Sequence, residues 1–210
     1  VADNKRKEIA QKEREQKIRQ LYSAIRSGDR ERARALLDEL GDRDIVDSKG
    51  RTPLHLAVQS GREEMASFLL ERGFDVNVPT DNGKQTPLHN AVQTGSASMT
   101  RILLDAGADI NARDAEGRGV MHMAARWGHN DLIPMLAKKG ASVKMKNEKR
   151  STPLHEAAGA GNLETVKLLI KLGADPESRD KYGATPADNA RINRHDEVYR
   201  YLDKLTGEQQ

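Results

Sequence analysis

The sequence predicts an all-α solenoid, in which helix–turn–helix units stack side by side and are joined by β-hairpin-like loops. Three observations lead there. A four-residue motif returns at a fixed period: Thr52-Pro53-Leu54-His55 recurs as Thr86-Pro87-Leu88-His89 and Thr152-Pro153-Leu154-His155, with a degenerate copy at Gly119-Val120-Met121-His122 and a partial one beginning Thr185-Pro186. The starting positions 52, 86, 119, 152 and 185 are 34, 33, 33 and 33 residues apart, and a constant spacing of this length marks stacked repeats. After each complete copy come small residues, a glycine (Gly61, Gly95, Gly128 or Gly161) and then paired apolar residues such as Leu69-Leu70, Leu103-Leu104 and Leu168-Leu169. Finally, 36% of the 210 residues are hydrophobic and 3% aromatic, against 32% charged. That is lean for one deep core and sufficient for thin layers that touch only their neighbours.

Each part of the unit has a physical task. Threonine caps the first helix by accepting a hydrogen bond from an otherwise unpaired backbone N–H. Proline follows at the first helical position, where its missing N–H costs nothing. Leucine enters the inter-helix core, and the glycine ends the first helix in a left-handed conformation. The second helix supplies the leucine pair.

These motifs, with Gly107-Ala108-Asp109-Ile110-Asn111 and Gly173-Ala174-Asp175 after the second helices, resemble the ankyrin-repeat family. From about Leu21 to Leu205 the whole chain can be laid out as six such repeats. The resemblance implies a concave groove lined by the first helices, loops projecting like fingers, and a protein partner bound by both. It also implies that the motif histidines hydrogen-bond within their own loop and to the next repeat.

Three segments divide the chain. Residues 1–20 hold seven basic and four acidic residues. Glu8–Lys12, Glu13–Lys17 and Glu15–Arg19 have the favourable order for helical ion pairs, and Ile9, Ile18, Leu21 and Ile25 form a thin apolar stripe. A solvated helix running into the first repeat is expected, with a disordered basic arm as the alternative. Residues 21–205 form the repeat domain, and residues 206–210 a tail. Leu21 to Gly28 aligns with Leu54 to Gly61 without the Thr-Pro entrance. Ala187-Asp188 replaces Leu-His at the other end, where Tyr199, Tyr201, Leu202 and Leu205 close the last layer. Both ends read as caps.

No catalytic, cofactor or metal site is expected. The chain has no cysteine and lacks a nucleophile elbow, a phosphate-cradling Gly-x-x-x-x-Gly-Lys loop and a His-Glu-x-x-His run. The motif histidines His55, His89, His122 and His155 lie one repeat apart, on the order of 10 Å, several times a metal–ligand distance of roughly 2 Å. His129 opens a second helix and His195 lies in the C-terminal cap.

Departures from the repeat mark the expected partner surface. Trp127, the only tryptophan, falls at the groove-facing end of a first helix where the equivalents Ser60, Thr94 and Ala160 are small. Met123 and Arg126 flank it, and tryptophan and arginine are enriched at binding hot spots. Gly50, Gly83, Gly117 and Gly183 occupy a turn position that Arg150 holds in the remaining loop, where a non-glycine must accept a left-handed backbone or reshape the turn. Lys144, Lys146, Lys149 and Arg150 make that finger basic, suited to an acidic cleft on a partner enzyme. The loop carrying Lys84 and Gln85 has the extra residue behind the 34-residue spacing, and loop insertions often carry function.

A stand-alone module that regulates a partner by occupying its surface is the leading expectation. An exported bacterial enzyme inhibitor is its sharper form: the opening Val1-Ala2-Asp3 is compatible with a cleaved signal peptide, with trimming, or with methionine removal, so the compartment stays open between periplasm and cytoplasm. A cytoplasmic adaptor that also uses the N-terminal helix is the second class. Nucleic acid is not the expected partner, because 35 basic residues nearly balance 32 acidic ones. No apolar run approaches a membrane span of roughly 18 residues, and a capped solenoid is expected to be monomeric on its own.

Overall fold

A computed structural model of the protein describes residues 2–41 and 43–207. Among these residues are twelve helices in six consecutive pairs: α1 (Ala2–Ser27) with α2 (Arg30–Leu40), α3 (Pro53–Gln59) with α4 (Glu63–Glu71), α5 (Pro87–Gln93) with α6 (Ala97–Asp105), α7 (Val120–Trp127) with α8 (Leu132–Lys138), α9 (Pro153–Gly159) with α10 (Leu163–Lys171), and α11 (Pro186–Ile192) with α12 (Asp196–Gly207). Each pair is one repeat, numbered 1 to 6 in chain order.

The first helices begin as the motif dictates. Thr52 and His55 form a reciprocal cap: the Thr52 hydroxyl accepts from the His55 N–H, and His55 Nδ1 accepts from the Thr52 N–H at 3.1 Å. The imidazole does here what a glutamate does in the common capping box. Between paired helices the backbone turns left-handed at Gly61, Gly95, Gly128 and Gly161, and at Arg194 (φ 62°) in repeat 6.

Three residue columns build the core. Leu54, Leu88, Met121 and Leu154 are fully buried, as is Leu21 at the capping end. Leu36, Leu69, Leu103, Leu136, Leu169 and Leu202 repeat along the second helices, and every one is buried. A column of alanines, Ala24, Ala57, Ala91, Ala124, Ala157 and Ala190, is buried in every repeat. Burying one leucine stabilises by about 1.5–3 kcal/mol, so stability accrues layer by layer.

Hydrogen bonds stitch the layers in three rows. The motif histidines donate from Nε2 to the backbone carbonyl that precedes the next repeat's motif: His55 to Gln85 (3.0 Å), His89 to Arg118 (3.3 Å), His122 to Ser151 (3.0 Å) and His155 to Ala184 (3.1 Å). Tyr22 stands at the equivalent position in repeat 1, and its hydroxyl donates to the Arg51 carbonyl at 2.9 Å. A second row joins the finger tips, with Asp81, Ala115, Glu148 and Lys181 N–H groups bonded to the carbonyls of Lys49, Gly83, Glu116 and Lys149. In the third, Arg62, His129, Asn162 and His195 reach back to the carbonyls of Arg26, Gln93, Arg126 and Gly159.

The loops are turns rather than ladders: among the described residues there is no strand. Each finger closes on a backbone bond over four residues, Asp47 to Arg51, Asp114 to Arg118, Asn147 to Ser151 and Asp180 to Ala184. The loop with the extra residue closes over five, from Thr80 to Gln85. One expectation is corrected here. The left-handed residue of this loop is Lys84 (φ 47°) and not Gly83, because the turn keeps its register from the motif that follows. Lys84 stands two residues before Thr86, as Gly50, Gly117, Arg150 and Gly183 stand before theirs.

The N-terminal segment is helical from Ala2, continuous with the first helix of repeat 1. The expected apolar stripe is shorter than the sequence suggested. Leu21 and Ile25 are buried and Ile18 packs at the edge of the core, but Ile9 is half exposed, since no second helix flanks this part of α1. Lys17 pairs across to Glu39 on α2 at 3.0 Å, replacing the expected pairing with Glu13. At the other end α12 runs to Gly207 and takes in the first two residues of the expected tail. The rest of that tail, residues 208–210, lies outside the described residues.

Candidate protein-binding surface

The concave face is lined by the last turns of the first helices and flanked by the fingers. Among the described residues the most exposed large apolar side chains are Tyr182 (75%), Ile192 (68%) and Trp127 (54%). All three belong to the C-terminal half.

Trp127 forms one side of a notch of about 400 Å³. Gly159 and Ala160 are its floor, because repeat 5 carries only small groups at the end of its first helix. Asn189 and Asn193 of repeat 6 form the opposite side, held by a bond from Asn193 Nδ2 to the Asn189 carbonyl at 2.8 Å. Arg126 and Glu156 close one end with an ion pair of 3.0 Å. Asn147 Nδ2 approaches the other oxygen of Glu156 at 3.5 Å, and this links the notch to the base of the basic finger.

That finger differs electrostatically from its neighbours. In the fingers around Asp47 and Asp114, the turn carboxylate accepts two backbone N–H groups and pairs with Arg51 or Arg118. Here the turn residue is Asn147 and the partner position is Ser151; Asn147 Oδ1 accepts from the Lys149 and Ser151 N–H groups at 2.9 and 3.0 Å. The fold of the turn is kept without its negative charge. Lys144, Lys149 and Arg150 are exposed, and no ion pair among the described residues neutralises them. Lys146 Nζ lies 3.5 Å from the Arg179 carbonyl. Arg150 has φ 58°, so it accepts the left-handed backbone instead of reshaping the turn. An exposed lysine, Lys149, and Tyr182 occupy the same place on adjacent tips, which the Lys181-to-Lys149 backbone bond holds together.

Among the residues expected at the site, Arg126, Trp127, Lys146, Lys149 and Arg150 therefore form one continuous surface. Met123 does not join them as a contact residue: it is 5% exposed and packs into the core, although Glu156 and Asn189, at the same position of repeats 5 and 6, line the notch. Gln85 lies elsewhere, beside Asn82, Gly83 and Arg118 in a separate polar hollow, and Lys84 precedes it in the same finger. Gln85 is part of an amide chain there, accepting from Asn90 at 3.3 Å while Asn90 accepts from Gln59 at 3.1 Å. Sequence reasoning missed Tyr182 and Ile192. Both stand at positions held by small or polar residues in other repeats, which was the signal that singled out Trp127.

The motif histidines are structural. Because a carbonyl can only accept, Nε2 carries the proton, and Nδ1 accepts from the N–H and hydroxyl of the capping threonine, except at His122, where it accepts from the Gly119 N–H. Burial holds all four below the ordinary histidine value. Among the described residues, no buried side-chain nitrogen or oxygen lacks a hydrogen-bond partner. Within the described residues no group of three metal-ligating side chains converges, and no helix is long and apolar enough to cross a membrane.

A family model for ankyrin repeats in three copies matches residues 7–80, 77–147 and 121–208. Ankyrin repeat protein 14 of vaccinia virus (strain Western Reserve) is 43% identical over 47 residues, 22% of this chain and 20% of that protein. The ankyrin repeat domain-containing protein OPG023 of monkeypox virus is 43% identical over 47 residues, 22% of this chain and 7% of its own length. Potassium channel AKT2/3 of Arabidopsis thaliana is 45% identical over 53 residues, 23% of this chain and 7% of the channel. These matches span a fifth or less of the relatives' own length, so they speak to the repeat and not to the whole proteins. With matches along almost its entire length, and six stacked helix pairs carrying the same motif, the chain belongs to the ankyrin-repeat family.

Proposed function

We propose that this chain binds a partner protein, as ankyrin repeats generally do, through the concave face of repeats 4 to 6 and the two fingers beside it, and regulates the partner, an enzyme with an acidic cleft, by occupying its surface without catalysis of its own. The observation that carries this reading is the exposure of Trp127, Ile192 and Tyr182 in the C-terminal repeats, together with a net-basic finger whose Lys144, Lys149 and Arg150 make no ion pair among the described residues. Exposed aromatic side chains with arginine beside them supply most of the energy in protein interfaces, and an uncompensated basic loop steers an acidic partner.

The test is affinity capture from fractionated cells of the source, with the intact chain compared with a Trp127→Ala, Arg150→Ala double variant. One dominant protein held by the first and lost with the second supports the reading. Its identity and compartment then separate an exported inhibitor from one acting in the cytoplasm. Equal capture by both refutes this surface. A bridging role is the second reading, favoured by the exposure of residues 4–13 on α1. It requires a second protein that is lost on deleting residues 1–20 while the first is retained.

A further inference from the structure

We infer that the Trp127 notch is an anchor pocket for one large, flat, uncharged side chain of the partner, aromatic or long aliphatic, that adjoins acidic residues lying against the 144–150 finger. This rests on the protein-binding reading above and specifies what the surface recognises.

The shape argues for a single side chain. The notch is about 400 Å³, the scale of one inserted group with its backbone rather than of a helix. The indole of Trp127 gives it an apolar face, the Gly159–Ala160 floor gives depth, and the Asn189 and Asn193 amides add polar rims without charge. Planar groups stack favourably on such a face.

The charge argues for a neutral occupant. Glu156 is the one carboxylate lining the notch, and both its oxygens are engaged, one by Arg126 and the other by Asn147. A cationic side chain entering here would meet the Arg126 guanidinium instead of a free carboxylate, and an anionic one would compete with Glu156 for it. The acidic residues belong one step away, because the path from Arg126 through Glu156 and Asn147 leads to Lys146, Lys149 and Arg150. The partner's recognition element is thus ordered, anchor in the notch and acid towards the finger.

The structure also offers a variant that fills the notch without disturbing the fold. Gly159 has no left-handed backbone requirement, and a Cβ there would meet its nearest neighbours, Asn193 and Asn189, at ordinary contact distances of 3.7 and 3.9 Å. Gly159→Leu plugs the floor while replacing glycine with a better helix former. Gly159→Ala is the control that leaves the notch open.

The experiment is selection of random dodecapeptides displayed on phage against the full chain, followed by binding of the selected synthetic peptides. Trp127 is the only tryptophan, so its emission reports occupancy of the notch directly. The inference expects selected peptides to combine one large apolar residue with aspartate or glutamate and to shift Trp127 emission. It further expects them to bind Gly159→Leu at least tenfold more weakly than the parent, with Gly159→Ala within about twofold, and to lose their acidic preference on Arg150→Gly. Peptides that shift Trp127 emission yet bind Gly159→Leu as well as the parent, or that lack a large apolar residue, overturn the anchor pocket and leave protein binding by this face standing. Peptides that bind without moving Trp127 emission, or the recovery of none, overturn both.

Discussion

The groove surfaces of repeats 2–3 and of repeats 4–6 rest on the same scaffold and differ in the apolar side chains they leave exposed. Over repeats 2 and 3 the groove is spanned by a chain of polar contacts: Arg51 to Gln59 at 3.3 Å, Gln59 to Asn90 at 3.1 Å, and Asn90 to Gln85 at 3.3 Å. Donors and acceptors are spent on one another, and a partner would have to break them before making its own. Over repeats 4 to 6 a polar chain also runs from Arg126 through Glu156 to Asn147, but Trp127, Gly159, Ala160 and Ile192 beside it leave apolar area and an open notch. The lesson is that the position of a binding surface on a repeat scaffold is set by which layers leave their side chains unmatched, since the layers beneath are built alike.

That claim breaks if the two halves prove to be built differently, and acid gives the largest test. The motif histidines of both halves are held neutral by burial, so their folded-state values lie below the unfolded value of 6.5. Between the two values the unfolded chain binds more protons, and stability therefore rises with pH there. It is full above about pH 6.5 and declines as the pH falls further, by up to about 1.4 kcal/mol per pH unit for each histidine. Protonation at Nδ1 also sets a proton against the threonine donors. Urea unfolding at pH 7.5 and 5.5, followed by both circular dichroism and Trp127 emission, should show a large common loss. Separate transitions from the two probes would show that the halves are not one scaffold.

Next in size are the core truncations. Leu88 and Leu154 are both fully buried, in repeats 3 and 5, and replacing either with alanine should cost about 2–5 kcal/mol. Similar losses in chemical denaturation place the difference between the halves at the surface. A much cheaper Leu154→Ala would place it in loose packing instead. Trp127→Ala sharpens the same point: half exposed, it should lower stability by no more than about 0.5 kcal/mol while weakening partner binding by about 2 kcal/mol or more.

Much of this was legible in the sequence, for physical reasons that vary with the residue. The Thr-Pro-Leu-His motif fixes caps, helix starts and core leucines by local chemistry, so six repeats could be read directly. The histidine rungs follow once the layers stack at constant spacing. Trp127 stood out because its equivalents are small. Met123 misled because its apolar side chain packs into the core at a repeat position from which the polar Glu156 and Asn189 reach the notch. Tyr22 hid as the first rung because a phenol replaces an imidazole in a segment that has lost Thr-Pro. The notch itself needs two repeats at once, Trp127 from one and the absence of side chains at Gly159 and Ala160 from the next, and no single motif records that.

The smallest stability effect separates the two halves most cleanly. Lys84 and Arg150 occupy the same turn position, both left-handed, in fingers of opposite halves. For a residue with a side chain that conformation costs roughly 1–2 kcal/mol, and glycine relieves it at about 0.5–1 kcal/mol of added chain entropy. Lys84→Gly and Arg150→Gly should thus each raise stability by up to about 1 kcal/mol. Only Arg150→Gly should also weaken the partner, because its finger carries the exposed Lys149 next to Tyr182 and leads through Asn147 and Glu156 to the notch. A gain in stability coupled to a loss of binding in one half alone would show strain retained for a partner. Equal binding losses from both variants would extend the surface across the whole groove, and equal indifference would remove the basic finger from it.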